Sequence, residues 1–256
     1  MSSPLKVFIT GASSGIGEAL AAEYARRGAI LGLVARRGDA LAAFQQSHPQ
    51  NAISVYSVDV RDADALAQTA QQFIAEHGCP DIVIANAGIS RGAVTGHGDL
   101  QTFRDVMDVN YFGMVATFEP FAQLMTDARK GSLVGIASVA GVRGLPGSGA
   151  YSASKSAATK YLEALRVEMR PFDVSVVTIA PGYIRTPMTA RNPYSMPFLM
   201  DADRFAAKVA NAIARKTRFA TFPWQMRVVA MILHVAPRWL YDAGFEKAPR
   251  KPRAAQ

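Results

Sequence analysis

Short, almost wholly apolar runs alternate with helix-like segments along most of this chain, and that rhythm restricts its fold more than any other feature. Residues 7–10, 29–34, 53–58 and 82–85 read as strands in the first half, and 133–137 and 174–179 in the second. Between them lie helical segments. These are 18–27, stopped by Gly28; 39–46, with Asp39 as N-cap; one capped by Asp62 and running to about Glu76; 103–125; and 151–170, stopped by Pro171. Strands that are apolar throughout need cover on both faces, and strand–helix–strand units close with right-handed crossovers. The expected fold is α/β, a doubly wound parallel sheet with helices on both faces. A chain of 256 residues, 50% hydrophobic, suits one large domain. No repeat, low-complexity stretch or linker divides it, so residues 1–256 are read as a single domain.

The loop after the first strand reads Thr10-Gly11-Ala12-Ser13-Ser14-Gly15-Ile16-Gly17. Its glycines let the backbone turn sharply and approach a diphosphate, and the following helix N-terminus offers free N–H groups. The spacing is G-x-x-x-G-x-G rather than the G-x-G-x-x-G of other dinucleotide folds. The same loop also serves as a tight strand-to-helix turn with Ser13 or Ser14 as N-cap. At the end of the second strand an acid would hydrogen-bond a ribose 2′-hydroxyl, whereas arginine accommodates a 2′-phosphate. Here the chain reads Val34-Ala35-Arg36-Arg37. Arg36 and Arg37 either clamp a phosphate or stand solvated at the surface. The pattern favours NADP(H) over NAD(H). Asp59 and Val60 follow the third strand, where Asp59 would accept from an adenine amino group or cap the next turn. Asn86, Ala87 and Gly88 follow the fourth, and such small residues let a flat cofactor lie against the backbone.

Tyr151-Ser152-Ala153-Ser154-Lys155 puts a phenol and an amine four residues apart, on one face of a helix. A free tyrosine titrates near a pKa of about 10. A neighbouring positive charge favours the phenolate, so the pair in a cleft is a proton-transfer device, and on an exposed helix it is only surface.

Taken in order, T-G-A-S-S-G-I-G, D-V, N-A-G, an Asn in a long helix, a Ser after a strand, Y-S-A-S-K and P-G-Y-I-R-T resemble the short-chain dehydrogenase/reductase family of the Tyr-x-x-x-Lys type. The resemblance runs from Val7 to about Met188. It implies a Rossmann-type fold and an oxidoreductase that interconverts a carbonyl and a secondary alcohol by hydride transfer. It also implies four catalytic positions. Tyr151 would be the general acid or base. Lys155 would lower its pKa and hydrogen-bond the nicotinamide ribose. Ser138 would polarise the substrate carbonyl, and Asn110 would hold a water linking Lys155 to solvent. Pro181 and Gly182 would open the segment that meets the nicotinamide carboxamide, with Ile184 as backbone contact and Thr186 as hydroxyl contact. The alternative is a nucleotide-sensing or membrane-surface interaction protein without turnover on the same fold. The complete Asn-Ser-Tyr-Lys set argues against a sensor.

The ending departs from many relatives, which close with a short strand and V-D-G-G. Here the chain continues Phe219-Ala220-Thr221-Phe222-Pro223-Trp224-Gln225-Met226-Arg227 and reaches Arg250-Lys251-Pro252-Arg253. Residues from about 223 to 256 are therefore read as a C-terminal extension. A dimer or a monomer, the homodimer foremost, is expected in place of the tetramer that V-D-G-G commonly supports. Residues from about 187 to 207 fall where the family has its substrate lid, and Tyr194, Met196, Phe198 and Leu199 there suit a lipophilic substrate or simply pack the lid. Residues 224–240 read as an interfacial helix on an anionic membrane, or as a core or dimer helix.

The chain has 28 basic and 20 acidic residues, a net +8 that favours anionic partners, but no nucleic-acid-binding signature accompanies it. Cys79 is the sole cysteine, and His48, His77, His97 and His234 show no ligand spacing, so no metal is expected. The chain runs from Met1 to Pro4 almost directly into a strand, without a signal-peptide pattern, and a cytoplasmic location is expected.

Overall fold

The structure, a computed structural model, describes residues 3–190, 192 and 194–253. Parts of the N-terminal, lid and tail readings, at residues 1, 2, 191, 193 and 254–256, lie outside the described residues. The first half runs β1 (Lys6–Thr10), α1 (Gly15–Arg26), β2 (Ile30–Ala35), α2 (Gly38–Gln46), β3 (Ile53–Ser57), α3 (Ala63–His77) and β4 (Ile82–Ala85). Then come α4 (Leu100–Met107), a π turn (Asp108–Phe112), α5 (Gly113–Asp127), β5 (Ser132–Ile136), a 3₁₀ turn (Val139–Gly141), α6 (Gly149–Met169) and β6 (Ser175–Pro181). The chain ends with the small pair β7 (Ile184–Arg185) and β8 (Met200–Asp201), α7 (Ala202–Ala214), β9 (Phe219–Phe222), α8 (Trp224–Val235) and α9 (Arg238–Phe245).

Seven parallel strands form one sheet in the order β3-β2-β1-β4-β5-β6-β9. The chain winds outward from β1 to β3, then returns to the other side of β1 with β4. That reversal opens a crevice at the carboxyl ends of β1 and β4, where ligands of such sheets bind.

Successive side chains of a strand point to opposite faces, so β1 serves two cores. Val7 and Ile9 pack into the layer that also holds Leu20, Phe205 and Val209 of α1 and α7. Phe8 points the other way, onto Phe73 and Phe121 of α3 and α5. Phe8 lies opposite Gly32 in the β1–β2 register. A Cβ on Gly32 would stand 2.6 Å from the Phe73 ring and 2.7 Å from the Phe8 ring. The glycine thus makes room for an edge-on pair of rings 5.5 Å apart.

Four local expectations change. Residues 103–125 are not one helix, because the π turn widens the helix by one residue between α4 and α5. Gly113, at its end, packs so tightly that a Cβ would meet Val60 Cγ2 at 2.7 Å. Asp39 sits in the first turn of α2 rather than at the N-cap, which is Arg37. Residues 219–222 form the edge strand β9, so the ending keeps a last strand and departs from the V-D-G-G pattern only beyond Phe222. Finally, the segment read as a lid runs into α7, whose Phe205 and Ala206 are fully buried; only the stretch before β8 lies outside the core. The Asp62 cap is present, its carboxylate accepting from Ala65 N at 3.0 Å.

Phe121 is fully buried against Phe8, with ring centroids 4.9 Å apart. Phe121→Ala is expected to lower the unfolding free energy by about 3–5 kcal/mol, read from the urea midpoint. A loss below about 1 kcal/mol would contradict a tightly packed second core.

Candidate active site

The loops singled out in the sequence leave the carboxyl edge of the sheet and surround one cavity of about 330 Å³. Its floor is the junction of β1 and β4. Gly11 and Gly15 have φ of +70° and +60°, which glycine adopts without strain. A Cβ on Gly11 would lie 2.7 Å from Ala87 Cα, and one on Gly17 would overlap the Gly11 carbonyl oxygen. The Asn86 amide donates to the carbonyls of Thr10 and Gly11, each at 3.1 Å. Glycine loop and β4 loop are therefore laced into one unit. Ser14 occupies the N-cap of α1 but its side chain caps nothing, so the first-turn N–H groups face the cavity without a side-chain partner.

Beyond β2, Arg36 and Arg37 both line the cavity. The Arg37 guanidinium leans across the glycine loop, donating to the Ser13 carbonyl at 2.9 Å and to the Ser13 hydroxyl at 3.1 Å. Asp59 takes the turn-forming role. Arg61 forks its carboxylate, with Nη2 at 2.7 Å from Oδ2, and donates its backbone N–H to Oδ1 at 3.1 Å. The Arg61 guanidinium holds the Asp59 carboxyl below the usual carboxylate range.

At the other end stand Ser138, Tyr151 and Lys155. Ser138 caps the 3₁₀ turn after β5, its hydroxyl accepting from Ala140 N at 3.1 Å. That turn presses on α6 through Gly141, where a Cβ would meet the Lys155 carbonyl carbon at 2.8 Å. Ser138 is thereby held against the first turns of α6, which carry Tyr151 and Lys155. Lys155 is 4% exposed, and its ammonium donates to the Ile136 carbonyl at 2.7 Å. It lies 6.0 Å from the centre of the Tyr151 ring. Burial without a carboxylate partner lowers the Lys155 pKa to about 8. Burial pushes the Tyr151 phenol up, and the Ser138 hydroxyl pulls it partly back. The net shift is upward, opposite in direction to the lowering expected from the motif, because desolvation dominates it.

Asn110 does not line the cavity. It is fully buried in the π turn, where its Oδ1 accepts from Ile89 N at 2.8 Å. Its Nδ2 donates to Ile89 O and Ser154 Oγ, each at 2.9 Å. These side-chain bonds tie the β4 loop to α6. Gly17 also stays behind the wall, packed on the Gly11 carbonyl. The other nominated residues, Ile16, Val60, Gly88, Pro181, Gly182, Ile184 and Thr186 among them, line the cavity.

Residues the sequence did not nominate complete it. Ile89, Val109 and Ile136 form apolar wall, for which no motif exists. Thr189 bridges its turn, donating to Ile184 O at 2.6 Å and accepting from Thr186 N at 3.0 Å. The T-x-x-T spacing of Thr186 and Thr189 was the available signal. Among the described residues no group of three His, Cys, Asp or Glu side chains comes together as a metal site.

A doubly wound sheet with a glycine loop at its switch point defines a dinucleotide-binding class of protein. The uncapped α1 N-terminus and the close backbone approach at Gly11 and Gly15 fit such a group. The sequence model of the short chain dehydrogenase family matches residues 6–195. An uncharacterized oxidoreductase of Myxococcus xanthus is 37% identical over 237 residues, 92% of this chain and 94% of its own. An 11-beta-hydroxysteroid dehydrogenase-like 2 protein of Arabidopsis thaliana is 32% identical over 241 residues, 90% of this chain and 77% of its own. The alcohol dehydrogenase of the archaeon Thermococcus sibiricus, solved with 5-hydroxy-NADP, superposes with a TM-score of 0.78 at 25% identity, over 86% of this chain and 96% of that one. Similar folds have been solved with NAD and with NADP. The chain belongs to the short-chain dehydrogenase/reductase family of oxidoreductases.

The lowered Lys155 pKa makes stability depend on pH. Below about 8 the folded state carries the full penalty of a buried cation. Between there and the ordinary lysine value of 10.5, the unfolded chain binds the extra proton, so stability rises with pH. Relative to Lys155→Met, the wild-type urea midpoint is expected to climb between pH 8 and 10. Parallel midpoints in the two proteins would contradict a buried, unpaired ammonium.

Proposed function

We propose that the chain is an NADP(H)-dependent oxidoreductase that interconverts a carbonyl and a secondary alcohol on a lipophilic substrate. The observation that carries this reading is the convergence of Ser138, Tyr151 and Lys155 on the same cavity as the glycine loop and the two arginines. When bound, the nicotinamide supplies or accepts the hydride, and its oxidised form brings a positive charge. In reduction, the carbonyl π electrons move to oxygen as the hydride reaches carbon. The Ser138 and Tyr151 hydroxyls donate to that oxygen, and Tyr151 delivers its proton to it. The Lys155 ammonium favours the phenolate left behind. In oxidation the same phenolate takes the alcohol proton. Asn110 is a positioning residue, acting through Ile89 and the Ser154 hydroxyl, which itself donates to the Tyr151 carbonyl at 2.8 Å.

Arg36 and Arg37 would hold the 2′-phosphate, and no acid at the end of β2 competes for a 2′-hydroxyl. The 5-hydroxy-NADP complex of the Thermococcus alcohol dehydrogenase is in keeping with that choice, although similar folds also hold NAD. The lipophilic substrate is supported by Met188, which lines the cavity and opens the lid segment, and by the steroid dehydrogenase-like name of the Arabidopsis relative.

Tyr151→Phe removes one oxygen and should cut turnover of a lipophilic ketone by about 10³-fold or more, while NADPH affinity measured by fluorescence stays within a few-fold. Turnover near the wild-type rate would sink the mechanism. Replacing Arg36 and Arg37 by alanine should weaken NADPH binding about tenfold or more relative to NADH. An unchanged ratio would contradict the 2′-phosphate assignment.

A further inference from the structure

We propose that α8 and α9 form a docking face for an anionic lipid bilayer. Trp224, Val228, Met231, Ile232 and Val235 recur along α8 at the spacing of one helical stripe. That stripe faces solvent, its residues between 46% and 77% exposed, and Trp239 of α9 is 71% exposed. Contiguous apolar surface of this kind marks an interaction site. It is not the inner face of a loosely held helix. The opposite side of α8 already packs on the body through buried Met226, which fills the space over Gly182. Arg143 donates to the carbonyl of Leu233 at 2.7 Å and also to that of Ala236, and the Tyr241 hydroxyl donates to Gly144 O at 2.6 Å.

Charge identifies the occupant. From Trp224 to Lys251 the chain holds five basic residues and two acidic ones, Asp242 and Glu246. Arg227 and Arg238 are exposed on the helices themselves. A second copy of the chain would bring the same positive field against this face. Anionic headgroups would neutralise it while the acyl region takes the apolar stripe. α8 has 12 residues and no described helix is long and apolar enough to cross a membrane, so the helices lie along the interface rather than span it. The loop bonded to the α8–α9 corner, through Arg143 and Gly144, joins Ser138 to Tyr151. If the proposed reading of the site holds, a lipophilic substrate would reach it from the bilayer side.

The test needs no turnover, so its outcome is independent of that reading. Trp224 and Trp239 are the only tryptophans in the chain, and both are exposed on these two helices. Vesicles of equimolar phosphatidylcholine and phosphatidylglycerol should co-sediment the protein and shift its tryptophan emission to shorter wavelength. Affinity should fall about tenfold or more on phosphatidylcholine alone, at high salt, and in a Met231→Glu/Ile232→Glu variant. Both residues are 60% exposed, so the variant should keep its melting temperature and NADPH affinity. Absence of binding, or undiminished binding by the double variant, would overturn the proposal. So would a lipid-free, concentration-dependent dimer that the double variant abolishes, which would give the face to a second copy.

Discussion

The bond from the Lys155 ammonium to the Ile136 carbonyl is the contact about which the site is arranged. A cation enclosed by protein loses its hydration and must find a polar partner or give up its proton. Ile136 is the last residue of β5, and Lys155 lies in the second turn of α6. One bond therefore ties the sheet to the helix that carries the phenol. Two glycines sit beside the arrangement. A Cβ on Gly88 would crowd Asn110 Oδ1 at 3.3 Å. Gly141 lets the turn after Ser138 press onto the α6 backbone. The neighbourhood of serine, phenol and amine follows from these packings.

The opposite half of the cavity depends on the reversal of winding between β1 and β4. Parallel strands whose helices lie on different faces leave their end loops apart, and the opening receives the glycine loop from one side and the Asn86 loop from the other. The Asn86 amide closes them into a rigid floor, and Asn110 does the same for the far wall, bonding Ile89 and Ser154. Preorganisation of this kind holds a reacting pair within catalytic tolerance without help from the ligand.

The layers and the doubly wound parallel sheet were legible because apolar period and glycine punctuation are local signals. Most of the cavity's polar residues were legible because they sit at the ends of strands, where topology collects them, or share one face of α6. What escaped was set by tertiary contacts. The π turn at Asp108–Phe112 has no composition signal, and only contacts such as that of Gly113 with Val60 reveal why the helix is interrupted there. β9 was obscured by its Phe-Ala-Thr-Phe composition at an edge, where it pairs with β6 alone. Asn110 was nominated, but its side chain serves Ile89 and Ser154, partners distant in sequence. The apolar wall at Ile89, Val109 and Ile136 looks like ordinary core until the fold aligns it.

The central claim is that Tyr151 is the proton-transferring group and that positive charge beside it makes its phenolate accessible. Burial pushes the Tyr151 phenol up, as it does Tyr24, Tyr56, Tyr161, Tyr183, Tyr194 and Tyr241, so any lowering must come from positive charge brought beside it. The most direct measurement is the tyrosinate absorbance of wild type minus Tyr151→Phe, both saturated with NADP⁺, as pH is raised from neutrality. One tyrosinate should appear in the difference well below the ordinary tyrosine value of about 10, and Lys155→Met should move it upward. A difference that stays flat until about pH 10 or beyond would contradict the account.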